Sequence, residues 1–227
     1  MPDRSHSREK MVDVQIARRG VRDERVLQAM REVPREAFVP ADMAEFAYDD
    51  TPLPIEAGQT ISQPYIVGLM LEAAALRPGD RSLEVGTGSG YAAAVMSRLC
   101  REVFTIERHS GLAALAGERL ARLGYFNVHV LTGDGTKGWP EGAPYDAILT
   151  AAGGPSVPPA LREQLAMGGR LVMPVGQTSS QRLIKIVRRT TTDFTEDNLG
   201  DVRFVPLVGE DGWEPLRGND GPPGSRE

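Results

Sequence analysis

Two stretches of this 227-residue sequence bring together residue types that could do chemistry. The first, SLEVGTGSGYAAA, spans Ser82 to Ala94. An apolar run leads into Gly86-Thr87-Gly88-Ser89-Gly90, and a helix-forming run begins at Tyr91. Glycines at such a turn permit positive φ and let a ligand approach the backbone closely. A dinucleotide fingerprint would read G-x-G-x-x-G and seat a pyrophosphate on the following helix. Here the pattern is G-x-G-x-G, with Tyr91 where the last glycine would fall. Glu84 stands just before the loop, where a carboxylate repels phosphate. The loop suits a cationic or zwitterionic ligand. S-adenosylmethionine, with a sulfonium, an ammonium and a carboxylate but no phosphate, is such a ligand. The glycines by themselves also read as an ordinary strand-to-helix turn.

Two further acids narrow the choice. Glu107 closes EVFTIE, one helix and one strand beyond the loop. In a doubly wound sheet that strand end lies at the ligand crevice, where a carboxylate can accept both ribose hydroxyls of an adenosine. Asp134, in TGDGT, can accept from an adenine amino group while Gly135 lets the ring lie near the backbone. Alone, this Asp-Gly pair reads as a turn. Three sites at three successive strand ends, in order, point to an adenosine-type ligand.

The second stretch, GQTISQPYIVGLM, spans Gly58 to Met70. Pro64 suits a first helical turn, because the amide it lacks would be unpaired there anyway. That places Ser62 as a helix cap, as a group facing a ligand, or as both.

The elements that must position these residues follow from the apolar spacing. REKMVDVQIARRGVRDERVLQAMREVPREAFVP reads as two helices, the first broken at Gly20 and the second ended by Pro34 near Val33. RSLEVG, EVFTIER, NVHVLTGD, YDAILTAA and GRLVMPVG read as strands, with helical stretches at 91–99, 110–123 and 158–165. This alternation predicts an α/β fold with a doubly wound, mostly parallel sheet. QRLIKIVRR and VRFVPLVG then read as consecutive strands, an antiparallel C-terminal hairpin. Residues 1–10 are expected to be a mobile N-terminus, 11–208 a single domain, and 209–227 a flexible Gly/Pro-rich tail.

Composition bounds the rest. The hydrophobic fraction of 41% supports a substantial core, and no apolar run is long enough to span a membrane. The N-terminus lacks the apolar stretch of a secretory signal. Cys100 is the only cysteine, which excludes an intramolecular disulfide and suits a reducing cytoplasm. A net charge of −5 argues against general nucleic-acid binding. His6, His109 and His129 show no metal-ligand spacing and are expected at the surface, with no metal site.

In order and spacing, RGVRDERVLQAMREVPREAFVP, AYDDTPLPIEAGQTISQPYIVGLMLE, LEVGTGSGYAAA, YDAILTAAGGPSVPPALREQL, GGRLVMPVG and VRFVPLV resemble segments of the protein-L-isoaspartate O-methyltransferase family, close to its bacterial members. The resemblance covers residues 11–208, and GQTISQP is its most specific part. Tyr65 departs from the His that many members carry there, and Gly153–Pro155 reads Gly-Gly-Pro where small or Pro residues are usual. The resemblance implies a Rossmann-like S-adenosylmethionine-dependent methyltransferase, with Glu84, Gly86, Thr87, Gly88, Ser89, Gly90, Glu107, Asp134 and Gly135 at the cofactor. It implies action on isoaspartyl-containing proteins and peptides; separately, a monomer is expected. Ser62 is its active-site residue by the same resemblance, with Gln59, Thr60 and Val205 along the substrate groove. The substrate's α-carboxylate, with an ordinary pKa of roughly 3.3–3.7, is ionised at neutral pH and needs no general base. A methyltransferase for another carboxylate, or a non-catalytic binder of damaged peptides, are the rival readings.

Overall fold

A computed structural model describes residues 4–214. Met1–Asp3 and the expected tail from residue 215 onward lie outside the described residues. Helical spacing at the N-terminus yields α1 (Ser5–Lys10), continued by a π-helical segment at Met11–Ile16 and a tight turn at Ala17–Arg19. Gly20 ends this run at φ 111°. The Asp23 side chain then accepts the Arg25 amide and opens α2 (Glu24–Glu32), which stops at an extended Val33 before Pro34. The expectation of a mobile N-terminus through Lys10 is corrected. Arg8 donates to the Tyr48 hydroxyl at 3.3 Å and lies 3.9 Å from the Glu36 carboxylate. Tyr48 is 40 residues away along the chain and Glu36 lies beyond α2, so no local window shows either.

The central elements follow in alternation. A small antiparallel pair, β1 (Leu53–Pro54) and β2 (Thr60–Ile61), precedes α3 (Pro64–Ala74). Next come β3 (Arg81–Val85), α4 (Tyr91–Met96), β4 (Glu102–Glu107), α5 (Ser110–Arg122), β5 (Val128–Thr132) and β6 (Tyr145–Thr150). α6 (Pro159–Glu163), β7 (Leu165–Gln177), β8 (Ser180–Arg188) and β9 (Phe194–Val202) complete the chain. The seven-stranded sheet runs β5-β4-β3-β6-β7-β8-β9. It is parallel from β5 to β7 and antiparallel from β7 to β9. The chain steps outward from β3 to β5 and returns to lay β6 on the other side of β3. That reversal opens a crevice beyond the C-terminal ends of β3 and β6, where ligands bind in open α/β sheets.

The last strand differs from expectation. VRFVPLVG is not a strand, apart from Val202; the edge is β9, with the sequence FTEDNLGDV. An edge strand needs only one covered face and tolerates charge, so its polar sequence hid it. The run after Val202 instead crosses the mouth of the crevice. Gly153 donates to the Val205 carbonyl and accepts from the Leu207 amide, both at 2.8 Å.

Alternating strand residues feed two cores. Leu83, Val85, Ile148 and Leu171 pack on one face. Leu149 and Val172 belong to the other, with Met30, Val67 and Leu71. Gly68 lets α3 close on the N-terminal helices, since a Cβ there would lie 2.9 Å from Ile16 Cγ2. Among the described residues no helix is long and apolar enough to cross a membrane.

Arg170 on β7 ties the C-terminal end of α3 to the sheet. It donates to the Ala74 carbonyl at 2.7 Å, the Ala75 carbonyl at 2.6 Å and the Asp80 carboxylate at 2.9 Å. Both charged side chains are largely covered. Arg170→Ala leaves two carbonyls and a covered carboxylate without their donor. A loss of about 3 kcal/mol, the scale for breaking a buried pair, is expected in urea denaturation.

Candidate active site

β3 ends at Val85, and the chain turns through Gly86 (φ 94°), Gly88 (φ 53°) and Gly90 (φ 90°) into α4. All three conformations suit glycine because a Cβ would be strained there. The loop is pinned from β4. The Gly86 amide donates to the Ile106 carbonyl at 2.8 Å, and the Gly88 amide to Glu107 Oε2 at 3.0 Å. Glu107 Oε1 accepts the His109 amide at 3.0 Å. Deeper, the Thr87 and Thr105 hydroxyls are 2.7 Å apart, and the Thr105 hydroxyl donates to Glu84 Oε2 at 2.5 Å.

The loop borders a cavity of about 660 Å³. Of the expected cofactor residues, Glu84, Gly86, Thr87, Gly88, Ser89, Glu107 and Gly135 line it. So do the expected substrate residues Gln59, Thr60, Ser62 and Val205. Gly90 does not; it starts α4 where a Cβ would crowd Leu120 Cδ1 at 3.2 Å. Asp134 does not line it either. Its Oδ1 accepts the Thr136 amide and hydroxyl at 2.9 and 2.7 Å, and its Oδ2 accepts the Glu210 amide at 2.9 Å. Burial pushes the Asp134 pKa up, but the hydrogen bonds from Glu210 and Thr136 outweigh it and hold the group below its ordinary value.

A second cavity of about 730 Å³ adjoins the first and shares Thr60, Ser62, Val205 and Pro206 with it. Ser62 therefore stands where the two meet. The expectation that Ser62 caps α3 is corrected: Gln63 occupies the cap position, with no side-chain bond of its own to the helix amides. Asp50 does the capping from a distant loop. Its Oδ1 accepts the Tyr65 amide at 3.2 Å, and its Oδ2 accepts Gln63 Nε2 at 2.7 Å. The Ser62 hydroxyl is left with no protein partner among the described residues.

Some cavity residues escaped the sequence reading. Trp213 lines the cavity from the expected tail, its indole donating to the Gly153 carbonyl at 3.0 Å. Residues 209–214 are thus folded, closed by the Gly209 amide on the Trp213 carbonyl and tied down by Glu210 on Asp134. The visible signal was a tryptophan in an otherwise polar stretch. Tyr91 and Thr178 also line the cavity. So does His109, which was expected at the surface, whereas His129 pairs with Glu102 at 3.1 Å and is half-exposed. Among the described residues no cluster of His, Cys, Asp or Glu could hold a metal ion.

The charge of the cavity selects its ligand. Glu84 is 2% exposed and Glu107 5%, and neither has a cationic partner among the described residues. Burial, with the Glu107 charge adding to it, pushes the Glu84 carboxyl up to about 8 despite the Thr105 hydrogen bond. A phosphate would worsen this imbalance, and a ligand with a positive centre relieves it. The donor set fits S-adenosylmethionine.

The comparisons with known proteins agree with this geometry. The sequence model described as protein-L-isoaspartate(D-aspartate) O-methyltransferase matches residues 6–212. The chain belongs to the protein-L-isoaspartate O-methyltransferase family. The protein-L-isoaspartate O-methyltransferase 1 of Rhodopseudomonas palustris (strain HaA2) is 60% identical to it over 91% of this chain and 84% of that one. The protein-L-isoaspartate O-methyltransferase 2 of Pelobacter propionicus is 57% identical over 93% of this chain and 94% of that one. A solved protein-L-isoaspartate O-methyltransferase superposes with a TM-score of 0.81 at 32% identity, over 90% of this chain and 67% of that one. The putative enzyme of Plasmodium falciparum, solved with S-adenosyl-L-homocysteine, gives a TM-score of 0.77 at 28% identity, over 88% and 98% of the two chains. The fold is that of an S-adenosylmethionine-dependent methyltransferase, and S-adenosylmethionine is the cofactor.

The raised Glu84 pKa has a defined sign. In the free protein its carboxyl is protonated at neutral pH. Its contribution to stability is full below the ordinary value of 4.5 and is lost as pH rises towards about 8. A cationic ligand favours the ionised form, so binding releases a proton. Cofactor affinity should rise by up to about tenfold per pH unit between pH 6 and 7.5. Calorimetry in buffers of different ionisation enthalpy should show the release, and Glu84→Gln should abolish it. No proton release in the parent protein would mean that Glu84 is already ionised.

Proposed function

We propose that the protein transfers a methyl group from S-adenosylmethionine to the α-carboxylate of L-isoaspartyl residues in damaged proteins and peptides, with Ser62 orienting that carboxylate. The activity is that of the family to which the chain belongs. The observation that carries the role of Ser62 is its hydroxyl at the junction of the two cavities, without a protein partner among the described residues. The first cavity takes the cofactor and the second the peptide.

When bound, S-adenosylmethionine supplies an electrophilic methyl group. Glu84 would balance its positive charge, and Glu107 has lone pairs left over from the Gly88 and His109 amides that would accept the ribose hydroxyls. The glycine loop lets the cofactor lie against the backbone. The Ser62 hydroxyl donates to one carboxylate oxygen, which leaves the other free to react. Thr60 and Gln59 border the same carboxylate, and Val205 flanks the peptide. The carboxylate is ionised at neutral pH, so no enzyme group need remove a proton. Catalysis comes from placement and from exclusion of water, which Trp213 and residues 205–208 assist by covering the mouth. A backbone amide nitrogen of the substrate then displaces methanol from the ester to close a succinimide, and water partly reopens that ring as normal aspartate. We further read the protein as a cytoplasmic monomer that binds no nucleic acid. A cleft completed by one chain, a single buried cysteine and a net charge of −5 support this.

Ser62→Ala should lower kcat on an isoaspartyl peptide by as much as ~100-fold, the scale for a misplaced reactant. Cofactor affinity should stay within about twofold, and the denaturant midpoint should hold, because the hydroxyl caps nothing. Normal turnover in a folded variant would remove Ser62 from the mechanism.

Single-turnover rates at saturating cofactor should be flat from about pH 6 to 8, well above carboxyl pKa values. A rise of about tenfold through pH 7 would instead mean that an enzyme base takes part in the step.

A further inference from the structure

Among the described residues Arg35 is the largest side chain that is fully buried, at 0% exposure. No carboxylate pairs with it at ion-pair distance among the described residues. Burying a cation without a counter-charge is costly, and an apolar side chain would fill the same space without that cost. Its bonds show what the guanidinium does. Nε donates to the Ala47 carbonyl at 2.8 Å, and Nη2 donates to the Ser62 carbonyl at 2.9 Å. The planar fork of an arginine spans two such acceptors in a fixed geometry, which a lysine cannot do. The guanidinium carbon also lies 4.9 Å from the centre of the Tyr91 ring. Tyr91 is the first helical residue after the glycine loop and lines the cofactor cavity. Arg35 Nη1 and the Tyr91 hydroxyl are both buried with no hydrogen-bond partner, so this contact is not a saturated polar network.

One side chain therefore touches both the turn that carries Ser62 and the helix that begins at the glycine loop. The turn has few other anchors. β2 pairs with β1 at only two positions, and Asp50 holds the chain beyond Ser62, at Gln63 and Tyr65. We propose that Arg35 is a positioning residue for methyl transfer, setting the Ser62 hydroxyl against the cofactor cleft by holding the Ser62 carbonyl. This rests on the reading of Ser62 as the group that orients the carboxylate. Arg35 lines neither cavity, and in this proposal it acts through Ser62.

The test is a double-mutant cycle. Arg35→Lys keeps the cation but loses the fork, and Arg35→Met loses both. Each is measured alone and with Ser62→Ala, for kcat and KM on an isoaspartyl peptide and for cofactor affinity by calorimetry. Arg35→Lys should lower kcat at least ~10-fold and Arg35→Met ~100-fold, with KM and cofactor affinity within about threefold. In the Ser62→Ala background either change should cost less than about threefold more, because the two residues act as one unit. A framework role would give the same loss in both backgrounds, which overturns the proposal. So would parent-like kcat in folded Arg35→Lys, or failure of both variants to fold and bind cofactor. Full turnover in Ser62→Ala alone would remove the Ser62 reading, and the role of Arg35 would fall with it. Slow Ser62→Ala with parent-like Arg35→Lys leaves Ser62 standing and removes only Arg35.

Discussion

The site depends on a carboxylate that the fold buries before any ligand arrives. Glu84 points from the central strand into the crevice, held through Thr105 to Thr87 of the glycine loop. Isolated negative charge is costly in that setting, which is why its carboxyl holds a proton up to about pH 8. The cost is tolerated because the same chain of hydroxyls orders the loop. It also leaves the cavity short of positive charge, a lack that a sulfonium and an ammonium can supply. Glu107, one strand away, spends one lone pair of each oxygen on the Gly88 and His109 amides.

The second constraint is distance along the chain. Ser62 and the glycine loop lie on separate elements, and neither fixes the other locally. The turn is held by residues from further upstream: Arg35 on the Ser62 carbonyl, and Asp50 on Gln63 and Tyr65. The N-terminal helices pack on α3 and complete the core over that face of the sheet.

The cleft is closed from the opposite end of the chain. After β9 the backbone crosses beside Gly153, and residues 209–214 fold back until Trp213 reaches the same glycine. Asp134 anchors this return through the Glu210 amide. A residue expected to meet an adenine ring thus holds the cover of the cavity.

Much of this was legible in the sequence. The strand–helix alternation, the G-x-G-x-G turn and the acids at successive strand ends depend on local spacing and on side-chain chemistry, and these survive without knowledge of the fold. They determined the α/β class, the position of the crevice and the preference for a cationic ligand over a phosphate. GQTISQP likewise drew attention to the turn at Ser62, which borders both cavities. The tertiary structure alone decided where hydrogen bonds between distant residues go. It assigned the cap of α3 to Asp50, turned Asp134 towards Glu210, and made a polar run into β9. It also drew Trp213 over the cavity and buried Arg35 against Ser62. The reason is physical: a polar group can be satisfied by any partner that the fold brings within about 3 Å, and sequence spacing ranks only the near ones.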